Sequence, residues 1–380
     1  MNYSTLQQML KEAHALSFQA RFIPVDATPE DEYFRVSPPT YAPEKQGDPP
    51  RYLITDHGEV RLDSPQSFAN RLEACIRDKN LTPSFDVVAR DGSPLVNSRE
   101  LAHRCFDAYL RDSSLNSQPF FESSIGSSLR QARPRTATAV FCHSPESLLF
   151  GAWDSHTGGG ALAAKWRRCI SGRIYGTQAT QRPGSAQKND PLGLKHVTEV
   201  YLDTAGQLTL NSEKAPKTRE KNKGSDRKKE DALSNLGYGS VPCSNAMDGM
   251  DVKAICLQGA IHLGELRKYS FPTATGEAEA RDLAARTALA ALALWSVQAT
   301  ATGSLALRSG CELSYTKMTW MARCGGSQTD AFDLDTATAF KLLTEAIDAL
   351  GQYGLAWNPT PISLQASDPL LELIRLSSGA

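Results

Sequence analysis

The spacing of apolar positions changes several times along the chain, and each change marks a candidate element. MNYSTLQQMLKEAHAL is amphipathic and predicts a short helix, and SFQARFIPV (Ser17 to Val25) predicts a strand. The Pro-rich stretch SPPTYAPEKQGDPP makes residues 26–50 an irregular connector. β-like runs follow at Tyr52 to Thr55 and Glu59 to Leu62. Ser64 is then placed as an N-cap with Pro65 in the first helical position, and Phe68, Leu72, Cys75 and Ile76 recur at helical spacing. Gln66, Asn70, Arg71 and Glu73 are left for the other faces of that helix. Ser98 is expected to open a second helix, with Leu101, Cys105, Ala108 and Tyr109 on its apolar stripe and His103, Arg104 and Asp107 off it.

Beyond Thr138 the segments TAVFC and SLLFGAW read as a strand pair, and ALAAKWRRCISGRIYG after Gly160 reads as a helix. Residues 177–191 are polar and aperiodic, and residues 212–231 hold eight Lys or Arg and no large apolar side chain, so both are expected to be mobile loops. The second loop lies between a β-like EVYLDTAGQLTL and the Gly-rich LSNLGYGSVP, as a hairpin tip or an insertion would. The C-terminal third predicts a strand in DVKAICLQGAIHL and a long helix begun near Thr275, with Glu277 and Glu279 complementing its dipole. Strands in SLALRSGCELSY and KMTWMAR and a last helix from Thr336 to Leu350 complete it. Strands and helices mixed without strict alternation give an α+β class.

The formal net charge of -1 over 380 residues favours neither acidic nor basic partners, so a nucleic-acid reading must rest on local charge. The eight cysteines include no C-x-x-C pair and no zinc spacing, which suits reduced thiols in a cytoplasmic protein. The longest apolar run, Leu283 to Val297, is interrupted by Arg286 and is shorter than the ~20 residues of a membrane span.

Candidate chemistry centres on LLFGAWDSHTGGG. Adjacent Asp154, Ser155 and His156 cannot form a nucleophilic triad among themselves, and no G-x-S-x-G accompanies them. The three glycines precede neither a P-loop lysine nor a dinucleotide fingerprint. Between Ser123 and Asn189, however, nine cations (Arg130, Arg133, Arg135, Lys165, Arg167, Arg168, Arg173, Arg182 and Lys188) stand against Glu146 and Asp154. Trp153, Trp166 and Tyr175 are interleaved with them, as suits a surface that tracks phosphates and offers rings to bases. A solvated basic face with both tryptophans in the core fits the same residues, and composition does not choose between the two.

Five ordered segments, LDSPQSFANRLE, SRELAHRCFDAYLRDS, LLFGAWDS, LSNLGYGSVP and LALRSGCEL, together resemble the backbone subunit of the type I-G (formerly I-U) CRISPR Cascade complex, a member of the RAMP superfamily. The resemblance runs from about Leu53 to Leu313. It implies a modified RRM-like (ferredoxin-like) palm with inserted finger and thumb elements, built as one domain over residues 1–380 with 212–231 as a thumb or DNA-facing loop. It implies a subunit that polymerises head to tail on a CRISPR RNA, presents it to target DNA, and assembles with a large subunit and a guide-end-binding RAMP subunit. No enzymatic activity, cofactor, metal or membrane is expected.

On the resemblance, Gln66, Ser67, Asn70 and Arg71 face the guide, followed by His103 and Arg104, then Arg130, Lys165, Arg167, Arg168 and Arg173 as phosphate contacts. Trp153 and Ser155 would lie where strand gives way to RNA-facing loop, although Trp153 fits a core position equally well and His103 and Arg104 could bridge helix to strand. The rival activity is a metal-independent endoribonuclease with His103 or His143 as general base. Metal-dependent cleavage through Asp154 and a hydrolase built on Ser155 are further alternatives.

Overall fold

The computed structural model describes residues 1–42, 44, 51–154, 165–184, 190–194, 200–203, 205–211, 213, 217–219, 226–228, 238, 246–325 and 328–377. The chain divides into two compact units. One comprises Met1–Gln46, Pro50–Thr180 and Asp251–Ala380, and the other comprises Gly47–Pro49 and Gln181–Met250.

The first unit is built on a seven-stranded antiparallel sheet. Its strands, in chain order, are β1 (Ala15–Pro24), β2 (Val60–Asp63), β3 (Ile170–Thr177), β4 (Ala254–Ile261), β5 (Leu305–Arg308), β6 (Cys311–Gly325) and β7 (Gln328–Phe332). They lie in the order β5-β6-β1-β4-β3-β2, with β7 also pairing β6. Strand alternation divides β1 cleanly. Leu16, Phe18, Ala20 and Phe22 are buried on one face, while Gln19 and Arg21 are exposed on the other.

Helices α1 (Tyr3–Glu12), α2 (Pro65–Lys79), α3 (Ala278–Thr302) and α4 (Thr336–Asp348) assemble on the buried face. Helix α3 is alanine-rich and apolar almost all round, as a central helix must be, and Ala288 through Leu294 are fully buried. Helix α2 forms as its caps dictate. The Ser64 hydroxyl accepts from the Ser67 amide, Pro65 fixes the first turn, and left-handed Asn80 ends it. Phe68 of α2 sits directly over Gly172, where a Cβ would come within 2.7 Å of its ring. Phe18 and Trp320 continue this aromatic layer, with ring centroids 5.2 Å apart. No helix among the described residues is long and apolar enough to cross a membrane.

A five-stranded sheet completes the first unit in the order Pro94–Asn97, Phe85–Val88, Ile362–Ala366, Ser113–Leu115, Gln118–Pro119, and the C-terminal helix Asp368–Ser377 follows. The second unit contains two described hairpins, Tyr201–Leu202 with Leu208–Thr209 and Lys217–Arg219 with Asp226–Lys228. The rest of residues 212–231, expected to be a loop, lies outside the described residues apart from Glu213. Within 177–191, Thr180–Gly184 is a strand and 185–189 lie outside the description. Within 26–50, Phe34–Val36 is a strand, Thr40–Tyr41 pairs Arg51–Tyr52, and 43 and 45–50 are not described.

The mixed α+β class is as expected, but three local readings are corrected. Thr138–His143 and Pro145–Phe150 are short helices rather than strands: both are too brief for periodicity to distinguish, and Pro145 starts the second. Ser98 opens no α-helix. Asn97 and Glu100 form a capping box over a single 3-10 turn, and a second turn at Arg104–Phe106 begins on a left-handed Arg104 with φ +52°. The described part of ALAAKWRRCISGRIYG is two strands, Lys165–Trp166 and β3, joined by a turn; along β3, Ile170, Gly172, Ile174 and Gly176 point inward and Ser171, Arg173, Tyr175 and Thr177 outward.

Candidate nucleic-acid interface

The nominated residues do not form one surface. At the N-terminal end of α2, Gln66 and Asn70 are exposed and Ser67 is half-buried. Arg168 reaches them from the turn before β3, donating from Nη2 to Gln66 Oε1 and from Nε to the Phe150 carbonyl at 3.4 Å. Burial, and then the neighbouring Arg104 charge, hold the Arg168 guanidinium below its ordinary pKa, with Glu73 pulling the other way. Arg71, on the other side of α2, is a tie between elements. It pairs with buried Asp63 at 3.1 Å and donates to the Ala306 and Leu307 carbonyls of β5 at 3.0 and 3.1 Å.

Arg104 belongs to the core. It is 6% exposed, grips both oxygens of Glu73 at 2.6 and 2.8 Å, donates to the Gly151 carbonyl at 2.6 Å, and lies over the Phe150 ring. Its placement off the apolar stripe reflects a broken helix, and burial of a charged group is sustained by this bidentate partner. Burial pushes the Glu73 carboxyl up, against the pull of Arg104. His103 is exposed on the same turn, its amide donating to Asp107 Oδ2.

Arg104 also fixes the turn that presents Trp153. Gly151 has φ +82°, and a Cβ there would stand 2.8 Å from the Trp166 carbonyl oxygen. Only glycine permits this approach, which lets Ala152–Trp153 pair with Lys165–Trp166 as a two-stranded ribbon. The two tryptophans then part company: Trp166 packs edge-on to Tyr269 at 5.7 Å in the core, while Trp153 is 53% exposed. Arg167 is exposed beside them. Asp154 is buried, and Ser155 and the Lys165 side chain lie outside the described residues. Arg130 is exposed on the separate Ser124–Gln131 helix, 5.7 Å from the Phe121 ring centroid.

His143, named above as a candidate base, is half-buried and lines a cavity of about 700 Å³ with Ser124, Ser128 and Thr138. Burial lowers its pKa. Among the described residues no group of three or more His, Cys, Asp or Glu side chains is disposed to hold a metal ion.

Arg173 faces the other way. It stands on the outward face of β3, opposite the helices, with its guanidinium 4.6 Å from the Tyr175 ring centroid and 3.4 Å from Glu59. Around it are exposed side chains the sequence reading passed over: Gln19, Arg21, Arg61, Gln258, Lys317 and Arg323. Their signal was the polar half of the strand alternation, but only the register shows that they share a face.

Residues 26–181 match the family described as CRISPR-associated protein GSU0053. That segment is similar to a CRISPR-associated protein. It contains every nominated residue of the chain, from Gln66 on α2 to Arg173 on β3. No curated protein matches the chain. The matched segment thus carries both the α2 edge with its tryptophan ribbon and the outward face of β3, surfaces that lie on opposite sides of the sheet.

Proposed function

We propose that this chain is the CRISPR RNA-binding backbone subunit of a type I-G Cascade effector. Copies polymerise head to tail along the guide in the cytoplasm and hold it for pairing with target DNA. The chain is a scaffold and leaves cleavage to a separate nuclease-helicase; its other partners are the large subunit and the guide-end-binding RAMP subunit. The antiparallel sheet with helices on one face serves as the RRM-like palm, and the second unit as the inserted part.

The observation that carries this reading is the exposed Trp153, raised on a ribbon that leads into Arg167 and Arg168, with Arg168 in turn donating to the exposed amide of Gln66 on α2. An aromatic face flanked by guanidinium groups suits a single-stranded guide, which is held by stacking and phosphate contacts. Base pairing supplies the sequence specificity and the protein supplies grip and shape.

Light scattering after size-exclusion chromatography tests it, using nuclease-treated protein and CRISPR repeat-spacer RNAs of increasing length. Longer RNA should recruit proportionally more subunits, and high salt should reverse the assembly, with a log-log slope of about -0.7 per neutralised phosphate. A mass independent of RNA would overturn the proposal, and so would cleavage of repeat RNA in EDTA, which is the endoribonuclease outcome.

A further inference from the structure

Five strands line up their outward side chains in rows across the central sheet. One row runs Lys317, Arg21, Cys256, Tyr175, Arg61, through the pairings of β6, β1, β4, β3 and β2. The next, about 7 Å along the strands, runs Thr319, Gln19, Gln258, Arg173. A third contains Met321, Ser17, Ala260 and Ser171, and Arg323 follows beside Ala15. The four strand steps from β6 to β2 span about 19 Å.

The rows have a consistent chemistry. Arg21, Arg61, Arg173, Lys317 and Arg323 are all exposed, and Glu59 and the half-buried Glu312 are the carboxylates beside them. The cations surround a planar centre: Arg173 lies over Tyr175, and the Tyr175 hydroxyl donates to Gln258 Oε1 at 3.4 Å. Arg21 is steadied from below, its Nη1 2.6 Å from the Cys256 sulfur, and Arg323 donates to the Ser17 hydroxyl at 3.0 Å. Long basic side chains, a stacked guanidinium and ring, and two exposed glutamine amides make a surface complementary to a polyanion with flat bases.

We propose that this outward face is a second nucleic-acid surface, which binds about four nucleotides of a single strand without sequence selection and uses the Arg173–Tyr175 stack as its base platform. The strand is RNA or DNA; the shared requirement is phosphate plus an unpaired base. The proposal does not depend on the guide reading, because α2, Trp153 and Arg168 stand on the opposite side of the sheet. A duplex fits poorly, since its bases are stacked inside and offer the platform nothing.

The test uses the full chain freed of nucleic acid, with fluorescein-labelled oligo(dT) and oligo(U) 12-mers followed by anisotropy from low to moderate salt. A Trp153→Ala/Arg167→Ala background removes the exposed ring and the exposed guanidinium of the tryptophan ribbon. The 12-mers should still bind it, and adding Lys317→Glu with Arg323→Glu should weaken them at least tenfold and flatten the salt slope. Arg173→Lys keeps the charge but not the planar stack, and should weaken binding at least fivefold with the slope unchanged. Crosslinking of 5-iodouracil 12-mers should map to β1, β3 or β4.

A tenfold preference for one sugar identifies the strand as RNA or DNA and supports the proposal either way. Failure of the background variant to bind, indifference to the sheet substitutions in proteins of unchanged melting temperature, or equal affinity for a poly-glutamate peptide would overturn it. Loss of length-dependent assembly on guide RNA, with 12-mer binding intact, would count against the guide reading and leave this one standing.

Discussion

Removing one partner of the Glu73–Arg104 pair leaves the other as a lone charge inside the protein. The side chains are 7% and 8% exposed, so little solvent screening discounts the effect. Breaking such a pair from one side costs about 3–5 kcal/mol. Glu73→Leu and Arg104→Met should each lower stability by that amount, which for a chain of 380 residues corresponds to roughly 4–6 °C in melting temperature. The double variant removes both charges and orphans only the Gly151 carbonyl, a loss of about 1–3 kcal/mol. The expected coupling is therefore strong, with the double variant more stable than either single. Urea denaturation of all four proteins reads the cycle directly. Additive losses would refute the account, because they would mean that each charge is solvated independently. Guide affinity measured on the same proteins separates positioning from contact: if Arg104 acts only by holding Gly151, affinity should recover with stability in the double variant.

Gly151→Ala places a Cβ against the Trp166 carbonyl in a backbone conformation reserved for glycine, so stability should fall by about 1–3 kcal/mol and quenching of Trp153 by iodide should change. An unchanged urea midpoint would show that the ribbon yields without strain. The His143 imidazole is held by burial below its ordinary value of 6.5, so the unfolded chain binds its proton first. Its stabilising contribution is present above pH about 6.5 and is lost as pH falls through the lower folded-state value. Burial raises neighbouring Cys142 to about 11, outside this window. Part of the fall in melting temperature between pH 7.5 and 5 should therefore disappear in His143→Gln, and an identical fall in both proteins would contradict this.

The elements legible in the sequence are those whose ends carry their own chemistry. Helix α2 announces itself through Ser64 and Pro65, and β1 through plain alternation. Strand β3 was misread because two of its inward positions, Gly172 and Gly176, are glycines that make room for Phe68 and Val252; the hydrophobic period is present but half of it has no side chain. Helices 138–143 and 145–150 failed for other reasons: six residues are too few to show a helical period, and the second run is buried on every side. A buried ion pair leaves no sequence mark, so the sequence could not choose for Arg104 between a guide contact and a bridge inside the core. The outward row from Lys317 through Arg21 to Tyr175 is assembled from residues hundreds of positions apart, and only strand register brings them together.

The same geometry ranks the guanidinium groups around α2 as phosphate ligands. Arg71 is committed to Asp63 and two carbonyls, and an incoming phosphate would have to compete with all three. Arg104 is out of reach. Arg168 is different: burial and the like charge of Arg104 both disfavour its cation, and Gln66 and one carbonyl are neutral partners. A phosphate at that point would add a counter-charge beyond the partial pull of Glu73, and its attraction to Arg168 would offset what burial and the Arg104 charge cost that cation. Arg173, by contrast, already has Glu59 at 3.4 Å, so an anion there gains less from charge and more from the stack with Tyr175. On the two proposals made above, two arginines five residues apart would serve opposite faces of one sheet by different physics, phosphate attraction at Arg168 and planar stacking at Arg173.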